Sequence, residues 1–149
     1  MKNCKDLMTN NPVCCTPDDT AVRVAKIMKT EDVGSVPVCE GRESRKLVGI
    51  VTDRDLAIQV VAAGKDPNSV KAGDVMTREP VTCRANQDLQ SAIDAMEKYQ
   101  IRRIPVVDES GQLIGIIAQA DVATRNDEPE KTAELVEEVS QPAASMRAG

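Results

Sequence analysis

Two short segments of the sequence place an acidic residue just beyond a β-branched run. They are GIVTDRD at residues 49–55 and GIIAQAD at residues 115–121. An ionised Asp at the start of a helix, such as Asp55, can accept hydrogen bonds from both hydroxyls of a ribose, and these bonds are strong because the acceptor is charged. Thr52, three residues earlier at a strand end, can donate to a phosphate. This pair of side chains therefore has the chemistry to hold a ribose and a phosphate.

The second copy keeps the acid, Asp121, but has Ala118 where the first has Thr52. Both acids also have a purely structural interpretation. Asp55 and Asp121 could be helix N-caps that stabilise the fold by about 1 kcal/mol and do nothing more. Both interpretations stay open for each acid.

Composition argues against several classes of function. The chain has 149 residues, which is enough to bury a substantial core, and it contains no Trp, Phe or His. Its net charge is -5 at pH 7, and Tyr99 is its only aromatic residue. Nucleic-acid binding depends on clustered Lys and Arg and on aromatic stacking, so we expect no nucleic-acid partner.

Membrane insertion, metal binding and catalysis are also disfavoured. The longest uncharged stretch in the middle of the chain, residues 56–64, is too short to span a bilayer, and we expect a cytoplasmic protein with no membrane partner. The five Cys form no C-x-x-C, and without His they favour reduced, mostly buried thiols over a metal site. With no nucleophile elbow and no P-loop, we expect no catalytic residues and no enzyme.

The chain is a tandem repeat. KDLMTNNPVCCT (residues 5–16) aligns with GDVMTREPVTCR (residues 73–84), and six of the twelve positions are identical. At the same spacing VGSVPV (residues 33–38) aligns with IRRIPV (residues 101–106). Such internal repetition indicates two copies of one supersecondary unit, neither of which can bury its apolar face alone.

Each copy predicts the order β-α-β-β-α. A short extended piece precedes a helix with a capping residue, Thr20 in one copy and Asp88 in the other. Two β-branched runs then form a hairpin, and a second helix follows. The apolar face of the first helix is predicted at equivalent positions in the two copies, namely Leu89, Ile93, Met96 and Tyr99, and Ala21, Ala25, Met28 and Glu31.

The predicted fold class is therefore α/β in the α+β sense, with two β-α-β-β-α repeats packed sheet to sheet in pseudo-twofold symmetry. Residues 1–68 form the first repeat and residues 69–126 the second. Residues 127–149 are expected to form a short helix and a disordered tail. This packing would create a cleft between the sheets into which both strand-to-acid junctions point.

The ordered motifs resemble a tandem pair of cystathionine-β-synthase-type (CBS) domains over residues 5 to about 125. The resemblance rests on M-T-x-x-P-V, x-h-P-V and G-h-h-[ST]-x-x-D, where h is apolar, at matching spacing in both copies. It implies a regulatory module, often a homodimer, that binds an adenosine-containing ligand such as AMP, ADP, ATP, S-adenosylmethionine or NAD. No catalytic cofactor is implied.

In this family a cleft takes its hydroxyl and acid from one repeat and its base-clamping strand from the other. The resemblance therefore implies a first site that joins Thr52 and Asp55 to Val81 and Ile101, with Thr77 near its mouth. Because it carries no arginine, we expect the first site to favour a nucleoside or a weakly charged ligand.

The second site would join Asp121 to Val13 and Val33. Arg102 and Arg103 lie just before the x-h-P-V strand, where relatives contact phosphate, so we expect this site to prefer a phosphate held by Arg103. These arginines could instead be solvated charges that pair with nearby acids, and the valines are expected to be core residues in either case.

The leading interpretation is a free-standing ligand sensor that signals by a conformational change to an effector protein outside this chain. One alternative is an oligomerisation or protein-interaction scaffold with vestigial clefts. Another is a thiol redox regulator that acts through Cys14, Cys15 or Cys83.

Overall fold

The structure is a computed structural model and describes residues 2–125, so the predicted C-terminal tail lies outside the described residues. The helices are α1 (Cys4–Leu7), α2 (Ala21–Glu31), α3 (Asp53–Leu56), α4 (Ala72–Val75), α5 (Leu89–Tyr99) and α6 (Gln119–Arg125), and α3 continues as a π-helical turn over Ala57–Val61. The strands are β1 (Thr9–Asn10), β2 (Ser35–Cys39), β3 (Leu47–Thr52), β4 (Thr77–Arg78), β5 (Cys83–Arg84), β6 (Arg103–Val107) and β7 (Leu113–Ala118). The predicted mixed fold of two β-α-β-β-α repeats is confirmed. None of the helices within residues 2–125 is long and apolar enough to cross a membrane.

The strands form two sheets, each built on one repeat's hairpin. One sheet has the order β2-β3-β4 and the other has the order β1-β7-β6-β5. Strand β4 pairs antiparallel with β3, with Thr77 opposite Ile50, and β1 pairs antiparallel with β7, with Thr9 opposite Ile116. The M-T strand that opens each repeat is therefore added to the hairpin of the other repeat.

This exchange defines two compact units. Of the described residues, one unit holds those up to Asn11, those from Val81 to Glu109 and those from Ile114 onward, and we call it the second-repeat unit. The other holds Pro12–Pro80 and Ser110–Leu113, and we call it the first-repeat unit. The division of the sequence at residue 68 remains a prediction about domains, and the compact units do not follow it.

Each unit has an aliphatic core that includes a residue from the exchanged segment. In the first-repeat unit Val75 packs with Val24 of α2 and Val51 of β3. In the second-repeat unit Leu7 packs with Ile93 of α5 and Ile117 of β7. Because Leu7 and Val75 occupy equivalent repeat positions, each opening segment fills the same place in the other repeat's core.

The glycines that begin the two G-h-h motifs allow these opening segments to approach the hairpins. A Cβ built at Gly49 would lie 2.5 Å from Met76 Sδ and 2.9 Å from the carbonyl oxygen of Thr77. A Cβ at Gly115 would collide in the same way with Met8. The Met and Gly of the repeated motifs are therefore explained by one packing contact, made once in each unit.

The predicted helix caps are confirmed. The hydroxyl of Thr20 accepts a hydrogen bond from Arg23 N at 3.2 Å, and a carboxylate oxygen of Asp88 accepts one from Gln90 N at 3.1 Å. Both helices end in a residue with positive φ, Asp32 at 54° and Gln100 at 55°.

The predicted apolar faces are partly wrong. Tyr99 is 51% exposed, because an amphipathic side chain in the last helical turn can keep its hydroxyl in water. The centre of its ring lies 5.3 Å from Lys98 Nζ. In α2 the buried positions are Ala21 and Val24, whereas Ala25 is exposed. A spacing of three residues, rather than four, brings the valine to the core side of this helix.

Candidate functional site

Thr52 and Asp55 hold each other through two hydrogen bonds at the junction of β3 and α3. The N–H of Thr52 donates to Asp55 Oδ2 at 2.8 Å, and the N–H of Asp55 donates to Thr52 Oγ1 at 3.1 Å. This is a capping box, in which Thr52 is the N-cap and Asp55 is the third helical residue. The structural interpretation of Asp55 as the N-cap itself is therefore wrong by three positions, because the preceding hydroxyl takes that role.

The capping box leaves part of both side chains available. The hydroxyl of Thr52 accepts its bond, so its own hydrogen can still be donated to a ligand oxygen. Only Oδ2 of Asp55 bonds the backbone, and Oδ1 has no hydrogen bond within the described residues. Both residues are half-buried, so the two groups are held in defined positions and still reached by solvent.

Two polar residues that the sequence analysis did not assign lie next to this pair. Ser35 is directly opposite Thr52 across the β2–β3 ladder and is 8% exposed, and within the described residues its hydroxyl oxygen has no hydrogen-bond partner. Asp53 is exposed, its N–H donates to the carbonyl oxygen of Gly34 at 2.9 Å, and its Oδ2 would lie 3.2 Å from a Cβ at Gly34. Ser35 is the first residue of the x-h-P-V motif, the place of Arg103 in the second copy, and this equivalence was the sequence signal that could have identified it.

The equivalent junction in the second-repeat unit has the same backbone geometry but no hydroxyl. The N–H of Gln119 donates to the carbonyl oxygen of Arg102 at 2.8 Å, which matches the bond from Asp53 to Gly34. Ala118 is buried, and Asp121 lies in the first turn of α6. Arg102 and Arg103 are half-buried at the start of β6. The arginines and Asp121 thus belong to one compact unit.

The predicted apolar contacts divide between the two units. Val81 and Ile101 pack against the core of the second-repeat unit, and Val33 packs against the core of the first-repeat unit. Val13 is 46% exposed, so the prediction that it is a core residue is wrong. It lies in the segment before α2, two residues ahead of Cys15, whose bridge to Val38 of β2 is the strand pairing of this segment, so no paired strand covers Val13 among the described residues.

Thr77 is exposed in β4, where it pairs with Ile50 of the first-repeat unit. Each predicted site takes residues from both units. The joining of Thr52 and Asp55 to Val81 and Ile101, and of Asp121 to Val13 and Val33, therefore remains a prediction.

Several known proteins are similar to this chain. Hypoxic response protein 1 of Mycobacterium tuberculosis is 37% identical over 123 residues, which cover 83% of this chain and 84% of the relative. Its crystal structure, described as having two coordinated zinc ions, has a TM-score of 0.76 at 34% identity and covers 83% of this chain and 98% of that one. Within residues 2–125 of the present chain, no group of three or more His, Cys, Asp or Glu side chains could hold a metal ion.

Two solved structures of similar proteins contain adenosine compounds. The structure of CBSX2 in complex with AMP has a TM-score of 0.71 at 27% identity and covers 83% of this chain and 95% of that one. CBSX2 is a protein of Arabidopsis thaliana. The CBS domain pair of MJ0100, in complex with 5-methylthioadenosine and S-adenosyl-L-methionine, has a TM-score of 0.74 at 27% identity and covers 83% and 94%.

An enzyme is also similar over part of its length. Inosine-5'-monophosphate dehydrogenase of Korarchaeum cryptofilum is 32% identical over 129 residues, which are 87% of this chain but only 25% of the dehydrogenase. The similarity is thus confined to a quarter of that enzyme. The CBS domain profile matches residues 4–61 and again residues 72–127, and the chain therefore belongs to the CBS domain family.

Proposed function

We propose that this chain is a regulatory module that binds an adenosine-containing ligand and passes the resulting conformational change to a partner protein. The observation that carries the proposal is the capping box of Thr52 and Asp55, which presents a hydroxyl hydrogen and a carboxylate oxygen at one strand end. Two similar CBS proteins have been solved with AMP or with S-adenosyl-L-methionine and 5-methylthioadenosine. These compounds share the ribose that such a carboxylate recognises.

The charges near Asp55 favour a neutral or cationic ligand at the first site. Asp53 places a second, exposed carboxylate beside Gly34, and like charge would repel a phosphate there. The hydroxyl of Ser35 adds a neutral polar group to the same strand end. Among the candidate ligands, a nucleoside or the sulfonium-bearing S-adenosylmethionine fits this environment better than ATP or NAD.

The second site is proposed to favour phosphate. Arg102 and Arg103 lie in the same unit as Asp121, and guanidinium groups bind phosphate oxygens through charge-assisted hydrogen bonds. AMP, ADP, ATP and NAD all carry the required group. The two sites would then report on different ligands, and Asp121 would bind the ribose without help from a neighbouring hydroxyl.

A matched pair of variants separates ligand binding from helix capping. Asp74 accepts a hydrogen bond from Lys71 N at 3.1 Å, the same contact that Asp55 makes with Thr52 N, but it lies outside the proposed site. Asp55→Asn should weaken binding of S-adenosylmethionine at least tenfold, because a charged acceptor bond contributes about 1.5–3 kcal/mol. Asp74→Asn should leave the affinity unchanged. Isothermal titration calorimetry measures both, and equal affinities in the two variants would refute the ribose assignment.

The same ligands should raise the melting temperature of the wild type. A ligand present at about 100 times its Kd adds about 2.7 kcal/mol to the free energy of unfolding when it binds only the folded state. A scaffold with vestigial clefts would respond to no ligand in a panel of AMP, ADP, ATP, NAD and S-adenosylmethionine.

We further propose that the chain forms a homodimer and acts on a separate effector protein in the cytoplasm. In this proposal the conformational change of the two CBS repeats reaches the effector across a protein–protein contact. Light scattering with and without S-adenosylmethionine measures the molar mass of the protein in solution. The mass of a monomer under both conditions would contradict the proposed homodimer.

A further inference from the structure

Two cysteines and an arginine of the first-repeat unit form a cluster at the end of β2. The segment that precedes α2 runs parallel to this strand, with Cys15 N donating to the carbonyl oxygen of Pro37 at 3.0 Å and Cys39 N donating to that of Cys15 at 2.8 Å. This register brings Cys14 beside Cys39, whose thiol hydrogen-bonds to the Cys14 sulfur. The two residues are distant in sequence, so no local pattern of the chain pairs Cys14 with Cys39.

Arg45 is fixed beside the Cys14 sulfur by three contacts. Its Nη1 lies 3.2 Å from Cys14 Sγ, and its Nη2 donates to the carbonyl oxygen of Pro12 at 3.0 Å. Its backbone N–H donates to Gln112 Oε1 at 3.1 Å. The guanidinium is therefore a fixed cation at the thiol, not a solvated charge.

The cluster distinguishes the two thiols electrostatically. The hydrogen bond from Cys39, together with Arg45, lowers the pKa of Cys14 to about 6, against the opposing effects of burial and of Asp19. The negative charge of Asp19 is partly compensated by two contacts. Its Oδ2 accepts a hydrogen bond from Thr16 N at 2.8 Å, and its Oδ1 lies 3.6 Å from Arg42 Nη2. The same hydrogen bond and burial raise the pKa of Cys39. At neutral pH Cys14 is thus a half-buried thiolate beside a protonated, fully buried thiol.

The geometry points to a peroxide-reactive dithiol site in which Cys14 is the attacking thiolate and Cys39 the resolving thiol. In the first step the Cys14 sulfur attacks hydrogen peroxide, a sulfur–oxygen bond forms, the O–O bond breaks and hydroxide leaves. Cys14 is then a sulfenic acid, oxidised by two electrons. In the second step the Cys39 sulfur attacks the Cys14 sulfur, the disulfide forms, the sulfur–oxygen bond breaks, and the hydroxide leaves as water with the proton of Cys39. A dithiol reductant restores the two thiols.

Neighbouring cysteines provide internal controls. Cys15 adjoins Cys14 in the chain, but it is 2% exposed, and burial raises its pKa to about 12. Cys4 and Cys83 also contact each other, in the second-repeat unit, but both are buried and no guanidinium hydrogen-bonds to either sulfur among the described residues. Only Cys14 combines a bound cation with access to solvent.

Oxidation of the full chain tests the proposal directly. The reduced protein is treated with one equivalent of hydrogen peroxide, the remaining thiols are alkylated, and the peptides are identified by mass spectrometry. We expect a Cys14–Cys39 disulfide in the wild type and in Cys15→Ser, and a dimedone-trapped sulfenic acid at Cys14 in Cys39→Ser. A wild-type protein that shows no Cys14–Cys39 linkage, or that oxidises Cys15 as readily, would overturn the proposal.

The pH dependence of alkylation tests the role of Arg45. The thiolate is the reactive form, so the alkylation rate of wild-type Cys14 should rise with a midpoint near pH 6 and exceed that of an ordinary thiol about tenfold at that pH, after allowance for the lower nucleophilicity of a low-pKa thiolate. Arg45→Gln should move the midpoint upward, and Arg45→Lys should restore part of the shift. A wild-type midpoint near the ordinary thiol value, or one that Arg45→Gln leaves unchanged, would contradict the assignment. Ligand binding by Asp55 is measured separately, so either proposal can fail alone.

Discussion

At the scale of single residues, Asp55 shows how a helix cap and a ligand contact can share one side chain. Its bond to Thr52 N restricts the rotation of the carboxylate and uses only one of its two oxygens. When a ligand binds the other oxygen, the Asp55 side chain therefore loses less conformational entropy than a mobile carboxylate would. The structural and functional interpretations of the motif are therefore compatible, since one oxygen serves each.

Thr52→Ala should destabilise the protein by about 1 kcal/mol, because α3 loses the hydroxyl that accepts from Asp55 N. Thr52→Ser keeps that hydroxyl and is the matched control. Urea denaturation monitored by circular dichroism gives the free energy of unfolding for both. Equal losses in the two variants would show that the methyl group, and not the cap, stabilises this junction.

At the scale of elements, the repeated motifs describe a strand packed on a hairpin. The M-T strand crosses the glycine that begins the G-h-h motif, and this close approach leaves no room for a side chain. The Asp two residues before each Met has a local role, because Asp6 accepts from Asn3 N at 2.9 Å just as Asp74 accepts from Lys71 N. Most of the resemblance between the two copies is thus explained by packing and capping.

Gly49→Ala should destabilise the first-repeat unit by about 1–3 kcal/mol, since the new methyl group would meet the backbone of Thr77 as well as the flexible Met76 side chain. Gly41→Ala is the control, because a Cβ at Gly41 has no atom within 4 Å. Chemical denaturation of both variants measures the difference. A Gly49→Ala protein as stable as Gly41→Ala would mean that β4 can move away from β3 at little cost.

At the scale of the whole molecule, the exchange of opening segments makes the repeats depend on each other. Cys4 and Leu7 are encoded with the first repeat but buried in the core of the second-repeat unit. Ala72 and Val75 are encoded with the second repeat but buried in the core of the first-repeat unit. A cut between the repeats of the sequence therefore removes core residues from both units.

A fragment of residues 12–80 should unfold cooperatively, whereas a fragment of residues 1–68 should not. The fragment of residues 1–68 lacks α4 and β4, so Val75 is missing from its core, and Leu7 is exposed because its own core partners are missing. Loss of one large buried aliphatic side chain from a core already costs about 2–5 kcal/mol. Thermal melts followed by circular dichroism, with hydrogen exchange of β2 and β3, distinguish the two. Equal cooperativity would show that the exchanged segment contributes little.

Local patterns in the sequence were sufficient to predict the repeats, the two hairpins, and the caps at Thr20 and Asp88. These features depend on residues close together in the chain, where period, capping and side-chain spacing act directly. Tyr99 and Val13 were misplaced because burial depends on which neighbouring element covers a position, and helical or extended spacing alone does not contain that information.

Only the tertiary structure decided which hairpin each opening strand joins, that Ser35 lies opposite Thr52, and that Cys39 and Arg45 meet at Cys14. Each of these contacts joins residues that strand pairing brings together across a turn, a helix or a whole repeat. Pairing between distant segments is selected by the fit of the entire core and not by any local preference. The sequence by itself therefore determined the repeats, the hairpins and the helix caps, and the fold determined which distant residues lie together.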